Sequence, residues 1–284
     1  MTELTMNQGF ASQSKAIPRR RKSGFPQEVN AVATIVARGI LLTLKSPGAL
    51  IMSLVMPVIM MGMIGGNLSQ NMAGGLGYDY GQFMLVGMLV NMLFMTTSQG
   101  LSSLVEDRET NFTQEMLIAP VSRYSIVIGT ILGSAFTAIL SCTGTLAVGL
   151  LMGISIGAGQ LLAILALSPL MCLAAGAFGM LIIGVVKNKR AVNMAIMLIP
   201  MSQMFLSGAI IPINASSGVL LVLSRLMPMT YCLDLVRAVV YAGTPEYGAV
   251  VMFNPAITFA AILSLTAVFL TVGTWLFARS ETHK

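Results

Sequence analysis

Long runs without a charged residue constrain this chain more than any other feature. Asp, Glu, Lys, Arg and His are all absent from five intervals: Lys45 to Asp79, Asp79 to Glu106, Arg123 to Lys187, Arg190 to Arg225, and Glu246 to Arg279. A bilayer core about 30 Å thick is crossed by roughly 20 apolar residues in an α-helix. Each interval is therefore long enough for one spanning helix, and the longest is long enough for two.

Composition supports a fold built for lipid. Only 9% of the residues are charged, whereas a soluble domain carries about 25%. The sequence predicts an all-α membrane protein with six transmembrane helices in a domain covering residues 46–279. The predicted spans are 47–66, 82–104, 124–152, 160–186, 191–211 and 255–278.

The segment before the first span has a different pattern. In residues 27–45 five polar side chains fall within about 80° of a helical wheel, and apolar ones lie elsewhere. The five are Gln27, Asn30, Thr34, Arg38 and Lys45. This predicts an N-terminal amphipathic interfacial helix. Residues 1–26 are polar and include the basic run 19–22, so we expect a disordered cytoplasmic tail there. A second, short cytoplasmic tail is expected at residues 280–284.

The basic residues set the expected orientation. Of the 16 Lys and Arg residues, 14 lie in the N-terminal segment, the 105–123 loop, the 187–190 loop or the C-terminal tail. Positive residues favour the cytoplasmic side of a membrane. Both termini are therefore expected in the cytoplasm, which requires an even number of spans.

The 105–123 loop holds most of the internal charge and is the natural contact for a cytosolic partner. Its middle predicts a short helix, with charges at its start, Phe112 and Met116 four residues apart, and Pro120 as a stop. A solvated loop without a partner is an equally good interpretation of these residues alone.

Two stretches resemble a known family. The first runs from Glu106-Asp107-Arg108-Glu109 to Ala119-Pro120-Val121-Ser122-Arg123 and on to Gly129. The second joins Phe205-Leu206-Ser207-Gly208, Ile211-Pro212, Pro228-Met229-Thr230-Tyr231 and Leu233 to Arg237. Together they resemble ABC-2 type transporter permeases, closest to the daunorubicin-resistance and multidrug branch. Asn111 and Thr130 depart from the family pattern, where Gly and Lys are usual.

The resemblance implies the membrane subunit of an ATP-driven exporter in a bacterial cell membrane. The coupling residues for a separate cytosolic ATPase, present in two copies, would be Glu106, Asp107, Arg108, Glu109, Phe112, Glu115 and Leu117. A second permease chain, identical or related, would complete the transport path. The segment between spans 5 and 6 would be a re-entrant helical hairpin. Asp234 and Arg237 are three residues apart there, which suits a helical ion pair.

The transported compound is expected to be amphipathic or hydrophobic, because the spans carry no charge. Polar or large residues within spans 2 and 5 are candidate path positions: Asn91, Met95, Gln99, Gln203 and Phe205. A permease for a glycan or glycolipid is an alternative, as is a membrane scaffold without transport activity.

Other functional classes find little support in the sequence. The chain has no phosphate loop of the G-x-x-x-x-G-K-[S/T] type, so ATP and Mg are expected on the partner subunit and no cofactor on this chain. No catalytic residue or metal site is predicted, since an intramembrane enzyme needs clustered His, Asp, Glu or Cys. A proton-coupled carrier normally needs a charge within a span. The basic residues flank membrane segments, so no nucleic-acid partner is expected.

Overall fold

The computed structural model describes residues 25–65, 78–106, 122–186, 188–211 and 218–282. Every regular element in these ranges is helical. In chain order the helices are α1 (Phe25–Lys45), α2 (Pro47–Met60, continued by a π-helical turn Met61–Gly65), α3 (Tyr80–Gly100), α4 (Ser102–Glu106), α5 (Arg123–Leu151), α6 (Ala158–Val185), α7 (Lys189–Leu206), α8 (Val219–Leu226), α9 (Pro228–Val240), α10 (Tyr247–Val250) and α11 (Pro255–Thr282).

Five helices in the described ranges are long and apolar enough to cross a membrane: Pro26–Lys45, Tyr80–Val105, Tyr124–Leu151, Ala158–Val185 and Tyr247–Phe277. Four of them match predicted spans. The fifth is α1, the predicted interfacial helix. α2 does not reach this length, and Arg190–Leu206 in α7 is a shorter apolar helix. The structure thus shows a membrane-helical protein, but it does not confirm the count of six.

Local sequence explains where the helices begin. Asp79 caps α3 by accepting hydrogen bonds from the N–H groups of Gly81 and Gln82. Ser122 caps α5 and Asn188 caps α7 in the same way. Such side chains satisfy N–H groups that have no partner in the first helical turn. Pro228 occupies the first turn of α9, where its missing N–H costs nothing.

α3 lies at the centre of the bundle. It contacts α5, α6, α7 and α9, and 72% of its most apolar stretch is buried. The approach to the end of α7 is very close, because a Cβ on Gly87 would lie 2.0 Å from the carbonyl oxygen of Ala209. The outer helix α11 packs mainly on α6, where a Cβ on Gly184 would lie 2.7 Å from the carbonyl oxygen of Gly273.

Helix α1 packs on α5, and the two run in the same direction. Gly39 lies against Gly133, where an added Cβ would be 2.9 Å from the Gly133 Cα. One step earlier Ile35 faces Gly129, and one step later the hydroxyls of Thr43 and Thr137 bond to each other. Each advance of four residues on α1 is matched by four on α5. α1 therefore follows the first half of α5, and its predicted place in the membrane interface stays a prediction.

Candidate functional site

The bundle has two ends with different chemistry. One end gathers the beginnings of α3, α6 and α11 with the end of α7, and α9 packs among them. At the other end lie the C-terminal end of α3, helix α4 and the first turns of α5. The second end also holds the two points from which residues 107–121 leave and rejoin the described chain.

At the first end, Asp234 ties α9 to the start of α11. Its carboxylate accepts hydrogen bonds from the backbone N–H groups of Met252 (2.7 Å) and Phe253 (3.1 Å) and from the Thr258 hydroxyl (3.2 Å). The side chain is only 3% exposed. A buried carboxylate is costly unless several donors satisfy it, and here three donors do so. The carboxylate thus fixes the chain just before α11 begins.

Arg237 ties the same helix to two other elements. Its Nη2 donates to the carbonyl oxygen of Gly208 at 2.8 Å, and its Cζ lies 3.7 Å from the centre of the Phe83 ring. The guanidinium is buried, and its Nε has no hydrogen-bond partner among the described residues. Both charged side chains belong to the described chain, and they bond to different partners rather than to each other. Through these two side chains α9 is linked to three neighbours.

Further bonds hold α9 in place. Gln160, in the first turn of α6, donates from Nε2 to the carbonyl oxygen of Val240 at 2.6 Å. At the same end of the bundle, Tyr80 at the start of α3 donates from its hydroxyl to the carbonyl oxygen of Ile210 at 2.9 Å and links α3 to the segment after α7. The bend between α8 and α9 is closed by a bond from the Thr230 hydroxyl to the carbonyl oxygen of Ser224. We call Asp234, Arg237 and their partners the hairpin anchor.

At the opposite end of the bundle there is a cavity of about 450 Å³. It lies between α1, α5, the C-terminal end of α3 and the short helix α4. We call it the α1–α5 cavity. α1 contributes Ile35, Arg38, Gly39, Leu42 and Thr43, followed by Ser46; α3 and α4 contribute Thr96, Gln99, Gly100, Ser103 and Leu104; α5 contributes Ile126, Thr130, Gly133, Ser134, Thr137 and Ser141. Pockets for small organic ligands span about 300–1,000 Å³, so this cavity has room for one.

Several hydroxyls of the cavity already use their protons. Thr130 donates to the carbonyl oxygen of Ile126, Ser134 to that of Thr130, and Ser103 to that of Gly100. These side chains therefore offer oxygen acceptors to the cavity rather than donors. Among the described residues that line the cavity, Arg38 is the one that carries a charge. The cavity thus combines one cationic donor group with a row of hydroxyl oxygens.

The predicted path residues do not form one site. Gln99 is exposed and lines the α1–α5 cavity, whereas Met95 and Asn91 lie one and two turns earlier on α3 and are half-buried. Asn91 contacts the Met229 sulfur at 3.9 Å. On α7, Phe205 faces outward, while Gln203 is fully buried. Neither amide atom of Gln203 has a hydrogen-bond partner among the described residues.

The predicted coupling residues fall almost entirely outside the described chain. The backbone of Glu106 ends α4. Asp107, Arg108, Glu109, Phe112, Glu115 and Leu117 lie in the undescribed interval, so their roles stay predictions.

The model of the family described as ABC-2 type transporter matches residues 30–241, which is well over half of the 284 residues. The chain belongs to the ABC-2 type transporter family. A search of curated proteins found no match. The ABC-2 domain is a transmembrane component and not itself an ATPase, and members of the family generally work with a cytosolic ATPase.

In this ABC-2 chain the α1–α5 cavity was not predicted from the sequence. A signal for it was present: Thr130, Ser134, Thr137 and Ser141 recur at helical spacing along one face of α5. Gly129 and Gly133 beside them have the spacing of close helix packing in membranes. The sequence did not indicate that α1 packs on this face of α5, because the two helices are far apart in the chain. Thr43 on α1 lies 94 residues before its partner Thr137.

Proposed function

We propose that this chain is the membrane subunit of an ATP-driven exporter, and that it moves an amphipathic or hydrophobic compound out of the cytoplasm or the inner leaflet. The family match over residues 30–241 carries the proposal. The energy comes from a cytosolic ATPase, in two copies, and a second permease chain completes the path. The uncharged faces of the long helices favour an apolar or amphipathic cargo over a highly charged one.

The proposed topology has six spans and both termini in the cytoplasm. α2 with its π-helical turn, α3, α5, α6, α7 and α11 are the spanning elements. α1 is left out because its amphipathic pattern favours the membrane interface. The hairpin of α8 and α9 then lies at the outer end, in keeping with the few basic residues there.

The proposed transport path follows α3 and α7. Gln203 supports this, because a buried amide without a partner costs about 1–3 kcal/mol. A polar group of the cargo would supply the missing hydrogen bonds. Asn91 and Met95 are four residues apart on α3 and would present one face to the same path, whereas Gln99 lines the α1–α5 cavity.

Transport by a reconstituted complex tests the proposal. The chain is purified with the ATPase that co-purifies with it and placed in liposomes with hydrophobic cationic, neutral and anionic dyes. ATP should drive dye movement, and the Gln203→Leu variant should change it while leaving the free energy of unfolding equal or higher. ATP-independent movement of every dye, or an intact complex that moves none, would overturn the exporter proposal.

Coupling is tested separately with the double variant Glu109→Ala/Phe112→Ala. It should lose co-purification with the ATPase and ATP-driven transport, while thermal unfolding of the permease stays unchanged. Arg190→Ala is the control, because Arg190 is exposed at the start of α7 and outside the proposed docking segment. If the double variant retains both the ATPase and transport, residues 106–117 do not form the docking contact.

A further inference from the structure

In the α1–α5 cavity a cation, several hydroxyl oxygens and apolar walls line a space of ligand size. Its walls come from three parts of the chain that meet only in the folded protein. Leu42 and Gln99 line it and are exposed, so the cavity communicates with the surface of the bundle. An amphipathic molecule could therefore enter from the side, with its tail remaining in lipid.

The polar lining specifies the head of such a molecule. Arg38 carries a planar guanidinium, and the shape and charge of this group suit phosphate. The Gln99 amide adds two further donors. Thr130, Ser134 and Ser103 present hydroxyl oxygens whose own protons are bonded to backbone carbonyls. Those oxygens accept hydrogen bonds, so they suit a head that carries hydroxyl donors beside its phosphate.

The apolar lining indicates which kind of tail the molecule should have. Ile35, Leu42, Leu104 and Ile126 form the hydrocarbon walls. Gly39 and Gly133 bring α1 and α5 into backbone contact and close the cavity between these helices. A small hydrophilic anion would leave the apolar walls in contact with water, whereas an acyl chain would cover them.

We propose that the α1–α5 cavity binds a phospholipid whose head combines a phosphate with hydroxyl groups, the phosphate lying against Arg38. Phosphatidylglycerol has this chemistry. The cavity is at the end of the bundle that the proposed topology places in the cytoplasmic leaflet, and residues 107–121 leave the bundle beside it. Binding itself does not depend on transport activity, so the exporter proposal and this one can fail independently.

Native mass spectrometry of the full chain in detergent is the first test. Phosphatidylglycerol and phosphatidylcholine are added at equal concentration, and apparent dissociation constants are compared. The wild-type protein should retain phosphatidylglycerol preferentially, and Arg38→Gln should weaken that binding about tenfold or more, which corresponds to losing a charge-assisted hydrogen bond. Phosphatidylcholine binding should not change.

Lys45→Gln is the matched control. Lys45 is exposed on the same helix and on the same side as Arg38, but it does not line the cavity. It should leave phosphatidylglycerol binding within about twofold. An equal loss in both variants would show a general attraction of α1 for anionic lipid and overturn the site. Binding of glycerol phosphate that displaces the lipid with equal affinity would assign the cavity to a free phosphate compound instead.

Photocrosslinking locates the lipid in the unmodified protein, so the test does not depend on a variant that folds. A photoactivatable phosphatidylglycerol should label peptides from α1, from the C-terminal end of α3 and from the first half of α5. Labelling confined to other helices, or equal labelling by a phosphatidylcholine probe, would overturn the proposal.

Discussion

Two buried charges on one short helix show how a single side chain can join distant elements. Asp234 accepts three hydrogen bonds from the segment that enters α11. Arg237 bonds to the turn after α7 and covers the Phe83 ring on α3. Each charge therefore stabilises a different contact of α9, and the hairpin anchor holds four elements at one end of the bundle.

The contact between Arg237 and Phe83 should be measurable as a coupling energy. A desolvated cation over an aromatic face is worth about 2 kcal/mol. We expect a double-mutant cycle with Arg237→Met and Phe83→Leu to give a coupling of this size, because each change removes the shared interaction. The measurement is the free energy of unfolding in mixed micelles.

The control pair for that cycle is Arg279 with Trp275. Its cation lies 5.4 Å from the ring centre, and Trp275 is 54% exposed. Water weakens such a contact, so the coupling should stay near about 0.5 kcal/mol. Equal couplings for the two pairs would mean that burial of Arg237 does not strengthen its contact with Phe83.

At the scale of helices, glycines decide which pairs can touch. Gly184 on α6 meets the backbone of α11, where an added Cβ would lie 2.7 Å from the carbonyl oxygen of Gly273. Small residues permit such close approach in membranes, where dispersion contacts rather than water exclusion hold helices together. This contact positions α11 on α6, its main neighbour.

Gly184→Ala should lower the free energy of unfolding by about 1–3 kcal/mol, because the new methyl group forces the helices apart. Gly159→Ala is the control, since a Cβ at this position of α6 has open space around it. That variant should not lose stability. Unfolding titrations of both variants check the prediction, and equal stability of the two would contradict the close α6–α11 contact.

The docking of α1 on α5 can be tested with an engineered disulfide. The hydroxyls of Thr43 and Thr137 are in contact, so the pair Thr43→Cys/Thr137→Cys should cross-link readily under mild oxidation. Adding Gly39→Leu should suppress the cross-link, because its side chain would meet the Gly133 backbone. The yield is measured by a mobility shift after cleavage between the two helices.

Ala33→Leu is the control for this experiment, because Ala33 is exposed on the other face of α1. It should leave the cross-link unchanged. A helix that floats in the membrane interface without docking would give little cross-link in any of these variants.

At the scale of the whole molecule, orientation is the testable property. The turn between α5 and α6 carries no basic residue, whereas Lys187 lies between α6 and α7 and is followed by Lys189 and Arg190 in the first turn of α7. We expect Ser155→Cys to react with a membrane-impermeant maleimide in intact cells and Arg190→Cys to react only after permeabilisation. Both positions are exposed, and the native cysteines are buried, which keeps the background low. The opposite labelling pattern would reverse the proposed topology.

The sequence determined the long elements. Uncharged runs and helix caps are local properties, so the predicted limits of α5 and α6 agree with the structure to within about two residues, as expected for helix ends. The predicted spans 47–66 and 191–211 correspond to the shorter helices α2 and α7, whose length alone does not mark them as spanning.

Only the tertiary structure decided which faces meet. Asp234 and Arg237 were close enough in sequence to suggest a pair on one helix, yet their partners lie on α11, on α3 and after α7. The α1–α5 cavity arises in the same way, since Arg38 and the hydroxyl face of α5 meet only when Gly39 reaches Gly133. Hydrophobicity and charge along the chain fix where helices form and favour a direction across the membrane. The partner of each buried polar group depends on which neighbours can supply its hydrogen bonds after packing, and that is settled only in three dimensions.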